Sequence, residues 1–115
     1  MGENNIDWKQ SEQMVVDFLK RDEKYKIVAH NYKTSFGEID IIAQQGDTYI
    51  FIEVKSGTGK RVRPSERVDV EKYRKISTLA EYFLRDKRYS RARIDVAEVI
   101  DGEINYYEDV GWEFG

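Results

Sequence analysis

Residues 37–57, GEIDIIAQQGDTYIFIEVKSG, decide the fold predicted for this chain. Two apolar runs, EIDIIA and TYIFIEV, flank the turn-forming QQGD, and this pattern is typical of a β-hairpin. Both runs are apolar enough for the hairpin to be buried on both faces. They nevertheless contain Glu38, Asp40, Glu53 and Lys55. Because buried charges are rarely left without a partner or a metal ion, these residues indicate a functional site.

The alternation of side chains along a strand predicts which of these residues share a face. Glu38 and Asp40 are expected on one face of the first strand, and Ile39 and Ile41 on the other. The same rule places Glu53 on one face with the lysine that follows two residues later. A turn centred between the second glutamine and the glycine of QQGD would put Glu38 opposite Glu53, with all the charged groups on one face.

The predicted hairpin brings Asp40 and Glu53 close enough to bind one ion, since cross-strand Cβ atoms lie about 4.5 to 5.5 Å apart and diagonal ones within roughly 8 Å. A divalent cation with oxygen ligands would neutralise carboxylates that otherwise repel one another, which suits Mg²⁺ or Mn²⁺. Lys55 could then hold a water molecule or a phosphate oxygen beside the metal, as in phosphodiester hydrolysis. The alternative is a solvent-facing ion pair of Glu53 and Lys55, worth about 0.2 to 1 kcal/mol.

The rest of the chain predicts two helices and three further strands. SEQMVVDFLKRD has apolar residues at helical spacing, which predicts a helix over about residues 8–22 with Ser11 as its N-cap. YKIVAHNY predicts a strand before the hairpin, and ERVDVEKYRKISTLAEYFLRDK predicts a long second helix after it. ARIDVAEVI, the turn DG and EINYYE add two strands. The expected fold class is a single α/β domain over residues 1–115, in the order α-β-β-β-α-β-β.

The charge of the chain is unevenly distributed. The net charge is −3, but 12 of the 19 basic residues and only 5 of the 22 acidic residues lie between Lys60 and Arg93. That segment has a net charge of +7, and the remainder of the chain has −10. Because phosphate binding draws on positive surface, the basic segment predicts a nucleic-acid partner.

Composition excludes several classes of protein. The chain has no cysteine, which rules out disulfides, thiolate metal sites and a cysteine nucleophile. It has no apolar run of the roughly 20 residues that a membrane helix requires and no secretion signal, so we expect a cytoplasmic protein without a membrane partner. His30 is the only histidine, and we expect an ordinary strand residue there rather than a ligand.

Several motifs resemble those of the YraN-like family of predicted endonucleases in the PD-(D/E)XK nuclease superfamily, which is similar to archaeal Holliday-junction resolvases. SEQMVVDFL resembles the first-helix motif, NYKTSFGEIDIIA and FIEVK the two central motifs, and RIDV a later strand motif. The resemblance implies a restriction-endonuclease-like core, with a central mixed sheet flanked by helices. It also implies Asp40, Glu53 and Val54 as metal ligands, Lys55 as the motif lysine, and Glu12 in place of the helix glutamate.

The chain departs from the family pattern at some positions. His30 stands where the family usually has Arg, and Ser56-Gly57 replaces a stretch that commonly carries an Arg. Ser11 and Val15 replace Gly and Ala. No presumed metal ligand is lost. The missing arginines concern phosphate contacts, for which the candidates are other basic residues, namely Lys33, Lys60, Arg61, Arg63 and Lys72.

Two candidate residues have alternative explanations. Glu12 lies on the inward edge of its helix, where it either faces the site or is a first-turn acid favoured by the helix dipole. Lys72 lies at the margin of the buried stripe of its helix. It either takes part in the site or covers apolar surface with its aliphatic stem.

Together these observations predict a Mg²⁺- or Mn²⁺-dependent endonuclease that acts on DNA, including branched or otherwise structured DNA, with water as the nucleophile. Asp40 and Glu53 bind the metal, Glu38 or Glu12 assists, and Lys55 orients water or stabilises the developing charge. Junction resolvases work in pairs, so the analogy adds a homodimer. The alternative function is a non-catalytic nucleic-acid-binding or assembly module that retains the fold.

Overall fold

The computed structural model describes residues 8–57 and 70–110. Its elements in chain order are helix α1 (Trp8–Arg21), strands β1 (Lys26–Thr34), β2 (Gly37–Gln45) and β3 (Thr48–Gly57), helix α2 (Val70–Leu84), and strands β4 (Arg91–Ile100) and β5 (Glu103–Tyr107). The predicted order α-β-β-β-α-β-β is therefore confirmed. Neither of these helices combines the length and the apolar character that a bilayer crossing requires.

The strands form one five-stranded mixed sheet in the order β1-β2-β3-β4-β5. β3 and β4 are parallel, whereas every other neighbouring pair is antiparallel. Parallel neighbours require a long crossover, and α2 lies in the segment between them. The expected mixed sheet with flanking helices is thus confirmed, and it is consistent with a nuclease-like core.

The two helices pack on separate apolar clusters of the sheet. Val15 and Leu19 of α1 are fully buried in one cluster, with Ile41 and Ile52 of the central strands. The other cluster contains apolar residues of α2 together with those of β2, β3 and β4: Ile39, Ile42, Tyr49, Phe51, Ile76, Leu79, Ala80, Leu84 and Ile94. Residues 49–53 of β3 are buried without interruption, as predicted for a strand covered on both faces.

The β2–β3 turn differs from the prediction by one residue. Gln45 pairs with Thr48, so the turn consists of Gly46 and Asp47, with Gly46 at a φ of +61°. Glycine is favoured at the first position of a tight hairpin turn because it adopts positive φ without steric cost. The predicted register, with Glu38 opposite Glu53, is therefore wrong. In the observed register Ile41 pairs with Ile52, and continuing it sets Asp40 opposite Glu53.

β2 does not keep its regular alternation near Asp40. Ile39 belongs to the cluster on the α2 side, whereas Ile41 belongs to the cluster on the α1 side. In a regular strand these two residues would share a face. The expectation that Ile39 and Ile41 lie together opposite the acids is therefore wrong. Asn31 of β1, which the ladder places beside Asp40, has a φ of +57°, and this left-handed residue marks the same irregularity in the neighbouring strand.

Ser11 joins the start of α1 to the end of β3. The predicted helix over residues 8–22 agrees closely with α1, but Ser11 lies inside the helix and is fully buried. The prediction that it is the N-cap is therefore wrong. Its Oγ accepts a hydrogen bond from Ser56 Oγ at 2.8 Å. This contact fixes the first turns of α1 against the part of β3 that carries Glu53 and Lys55.

A second buried polar group ties β4 to β5. Asp95 is fully buried and accepts hydrogen bonds from Arg93 Nε at 3.0 Å, Tyr106 Oη at 2.5 Å and the main-chain N–H of Asp109 at 2.8 Å. Arg93 also donates to Tyr25 Oη at 2.8 Å. Because each partner satisfies a buried polar atom, the group stabilises the sheet where the RIDV segment of the sequence lies.

Candidate functional site

The site begins where the regular ladder between β2 and β3 stops. The main-chain N–H of Val54 donates to Oδ2 of Asp40 at 2.8 Å. In a regular antiparallel ladder this N–H would bond a main-chain carbonyl of the neighbouring strand. The Asp40 carboxylate therefore takes the place of a main-chain acceptor between the two strands. Val54, a predicted metal ligand, is in contact with the Asp40 carboxylate through this amide.

Glu53 accepts contacts from two lysines. Its Oε2 lies 3.1 Å from Nζ of Lys55 and 3.1 Å from Nζ of Lys72. Lys55 is two residues further along β3 and shares a face with Glu53, as the alternation of side chains predicts, whereas Lys72 comes from the first turn of α2. Glu53 is only 5% exposed, so the two ammonium groups supply the counter-charge that its buried carboxylate needs. Lys72 therefore lies in the site. The alternative explanation, in which its stem only covers apolar surface, does not account for this contact.

Glu12 reaches the same cluster from α1, on the other face of the sheet. It is 4% exposed, and its Oε1 lies 3.3 Å from Nε2 of His30. In the amide orientation that satisfies its neighbours, Asn31 donates to Glu12 Oε1 at 3.1 Å and to Glu38 Oε2 at 2.9 Å. Of the two explanations for Glu12, the structure therefore favours the one in which it faces the site.

The four acids are close enough to perturb one another. Burial, followed by the charge of Glu53, raises the pKa of Asp40 from 3.8 to about 7. Burial, followed by the charge of Glu38, also raises the pKa of Glu12. Burial and like charges both disfavour the ionised form, and such perturbed acids are found preferentially at functional sites. Glu38, Asp40 and Glu53 lie near one another, as the hairpin predicted, and Glu12 joins them; the four acids meet between the strands and not on one face of a hairpin.

The fit of a metal ion to this cluster depends on its donors. Among residues 8–57 and 70–110, no three acidic or histidine side chains are arranged to hold a metal ion. The donor chemistry nevertheless suits a hard divalent cation, because the acids offer only oxygen atoms. In addition, the ammonium groups of Lys55 and Lys72 meet at one oxygen of Glu53, where they stand in for a cation. The residues therefore fit Mg²⁺ or Mn²⁺ in donor type and in charge.

The predicted nucleic-acid contacts are only partly covered by the described residues. Lys33 is exposed on β1 and pairs in the ladder with Glu38, which places it beside the acids. Lys72 contacts Glu53 directly. Lys60, Arg61 and Arg63 lie outside the described residues, so their predicted role stays a prediction.

Sequence reasoning missed two residues of the site. His30 was expected to be an ordinary strand residue, but it contacts Glu12. Asn31 was not considered, although it bridges Glu12 and Glu38. A signal for Asn31 was present in the sequence, because asparagine tolerates positive φ better than other non-glycine residues and stands here in a run of strand formers, close to the acidic motif.

The fold and the site together define an α/β domain with a mixed sheet whose central strands separate around a buried cluster of acids and lysines. The model of uncharacterised protein family UPF0102 matches residues 11–99, and the chain belongs to this family. A UPF0102 protein of Fervidobacterium nodosum is 50% identical, with 96% of this chain and 86% of the relative covered. A UPF0102 protein of Thermotoga petrophila is 42% identical, with 91% and 96% covered. The UPF0102 protein FN1370 of Fusobacterium nucleatum is 40% identical, with 78% of each chain covered.

Proposed function

We propose that the protein is a metal-dependent phosphodiesterase of the PD-(D/E)XK nuclease superfamily that hydrolyses DNA in the cytoplasm. The observation that carries the proposal is the meeting of Glu12, Glu38, Asp40 and Glu53 with Lys55 where β2 and β3 separate. A buried group of acids is costly for folding alone, since like charges disfavour one another's ionised forms. A function that uses a divalent cation explains why this cost is retained.

Each residue has a role that follows from its position. Asp40, Glu53 and Val54 would hold Mg²⁺ or Mn²⁺, which when bound polarises a phosphoryl oxygen and lowers the pKa of a bound water molecule. Glu12 and Glu38, joined by the Asn31 amide, are placed to accept a proton from water or to orient it. Lys55 is placed to stabilise negative charge that develops on the phosphate.

The partners belong to the same proposal. Lys33 and Lys72 supply positive charge beside the acids, as binding to a phosphate backbone requires. A homodimer is proposed from the resemblance to junction resolvases. A second candidate function is a non-catalytic module that binds nucleic acid, and it is favoured by the contacts of both lysines with Glu53, which already supply counter-charge to this buried carboxylate.

Lys55→Ala separates the two functions. If Lys55 stabilises charge in the transition state, the variant should lose at least about 100-fold in kcat on DNA while its Mn²⁺ affinity does not fall. The measurements are calorimetric Mn²⁺ binding and single-turnover cleavage of duplex, single-stranded, flapped and four-way-junction DNA. Lys26→Ala is the matched control, because Lys26 is exposed and pairs with Gln44 near the other end of β2.

The outcomes of this experiment are distinct. Undiminished cleavage by Lys55→Ala would show that Lys55 has no catalytic role. A parent protein that binds DNA but cleaves none of these forms, with either Mg²⁺ or Mn²⁺, would favour the non-catalytic module. A parent that fails to bind Mn²⁺ would contradict the assignment of Asp40 and Glu53 as ligands.

A further inference from the structure

Phe36 is an exposed aromatic residue next to the acidic cluster. It lies in the turn between β1 and β2 and is 66% exposed, the most exposed of the large apolar residues that the structure describes. Single exposed apolar residues are common on protein surfaces and need no functional explanation by themselves. The surroundings of Phe36, rather than its exposure, suggest a role.

The turn that carries Phe36 is held in place on both sides. The main-chain N–H of Phe36 donates to Oγ1 of Thr34 at 3.0 Å, which closes a local turn. Gly37 has a φ of +147° and faces Leu79 of α2. A Cβ atom added to Gly37 would lie 3.5 Å from Leu79 Cδ1. The turn therefore lies against α2, which positions the backbone that carries the phenyl ring.

A cleft of about 300 Å³ separates Phe36 from one face of α2. It is lined by Phe36 and by Glu71, Arg74, Lys75 and Thr78. The helical residues are spaced by three and four positions, so they form one continuous stripe. Two of them are cations and one is an acid. The cleft thus combines an aromatic surface with positive charge, which matches a nucleotide's base and phosphate groups.

The cleft lies close to the acidic cluster along the chain on both of its walls. Glu38 follows Phe36 by two residues, which span at most about 7 Å of extended chain. On the other wall, Lys72 is the neighbour of Glu71 in α2, and its ammonium group contacts Glu53. A strand whose phosphate lies at the acids therefore has neighbouring nucleotides within reach of the ring of Phe36.

We propose that Phe36 is a stacking platform for an unpaired base of DNA, with Arg74 and Lys75 contacting the phosphates beside it. This inference rests on the proposed action on DNA, and it specifies the substrate class. A base inside a duplex has both faces covered by its neighbours, so only DNA with unpaired nucleotides beside the bound phosphate offers a free face to the ring. The site therefore selects single-stranded, flapped or branched DNA over continuous duplex.

The test is DNA binding in EDTA, which requires no turnover. Phe36→Ala should bind a fluorescein-labelled mixed-sequence single strand about 10-fold more weakly, within the range of roughly 5- to 150-fold for loss of one stacked base. Its affinity for the same sequence as a duplex should change less than about twofold. Phe36→Trp should retain the parent's preference. Tyr82→Ala is the matched control, since Tyr82 is an exposed aromatic of α2 outside the cleft and stacks with Arg85.

The outcomes also separate this inference from the proposed function. Equal losses for the single strand and the duplex, or no loss for either, would overturn the stacking role, as would a parent that binds no DNA. A preference for unpaired DNA that depends on Phe36, in a parent that never cleaves, would support the inference and contradict the proposed catalysis. Cleavage by the parent with a preference that Phe36→Ala leaves unchanged would overturn the inference and leave the enzyme proposal standing. Because Phe36 is mostly exposed, its variants should melt near the parent's temperature.

Discussion

Replacing Asp40 by asparagine should stabilise the metal-free protein at high pH. The pKa of Asp40 is raised from 3.8 to about 7, first by burial and then by the charge of Glu53. Between these values the folded protein keeps a proton that the unfolded chain has lost. The free energy of unfolding therefore falls as the pH rises from about 4 to about 7. Above about pH 7 the contribution of Asp40 to this free energy no longer changes with pH. Asparagine does not titrate, so Asp40→Asn should lack this fall.

The size of the effect follows from the pKa difference. A difference of about three pH units corresponds to about 4 kcal/mol at 1.36 kcal/mol per unit. The neighbouring acids interact with Asp40 and share part of this free energy, so we expect Asp40→Asn to gain about 2 kcal/mol at pH 8. The Asn side-chain oxygen can still accept the N–H of Val54, which preserves the contact between β2 and β3. For a domain of this size, 2 kcal/mol raises Tm by about 8 °C.

Thermal melting in EDTA at about pH 4 and about pH 8 measures this difference. The variant should melt close to the parent at the lower pH and well above it at the higher pH. Asp17→Asn is the matched control, because Asp17 is an exposed acid of α1 whose carboxylate accepts a local hydrogen bond from Gln13. A variant that melts no higher than the parent at pH 8, or a difference that does not change with pH, would refute the account of the acidic cluster.

Two further substitutions test the supports of the site and of the sheet. Asn31→Ala should have a free energy of unfolding about 1 kcal/mol lower than that of Asn31→Gly, because alanine resists the φ of +57° that glycine accepts. Both variants lose the bridge between the two acids. Equal stability of the two would contradict the role of the left-handed backbone. Asp95→Ala should lose about 3 to 5 kcal/mol in denaturant unfolding, because it leaves the buried Arg93 without its buried carboxylate partner. Asp86→Ala, which removes an exposed partner of Lys87, should change the free energy of unfolding far less. Similar losses for these two variants would show that the buried ion pair is not needed.

The order of elements could be predicted because the periodicity of the sequence is strong. The hairpin, its glycine turn and the helical spacing of apolar residues each belong to local physics, and the structure confirms them. The register was wrong by one residue because QQGD allows the turn to form at either of two adjacent positions. The error shifts the partner of each β3 residue by two positions along β2, for example from Glu38 to Asp40 for Glu53. A shift by an even number of residues keeps every β3 side chain on its predicted face. Glu53 and Lys55 therefore share a face and contact each other, as predicted, despite the wrong register.

The geometry of the acids could not be predicted in the same way. The change of face between Ile39 and Ile41 depends on the neighbouring strand, where Asn31 is left-handed, and a period of two along one strand contains no information about this. Glu12 and Lys72 had equally local explanations as a first-turn acid and as a rim lysine. Only the packing of α1 and α2 on opposite faces of the sheet brings Glu12 and Lys72 to the place where β2 and β3 separate.

The two lysines on Glu53 link the acidic cluster to its proposed substrate. Lys55 and Lys72 lie at one oxygen of Glu53, so a cation that binds this oxygen competes with their ammonium groups. The Lys55 ammonium group, once displaced from this buried carboxylate, loses that counter-charge and then requires another anion or water. Under the proposed function a DNA phosphate beside the acids supplies that anion. Binding of the cation and of DNA should therefore be mutually favourable, because each supplies what the other leaves unpaired, and linkage requires that the coupling be equal in both directions.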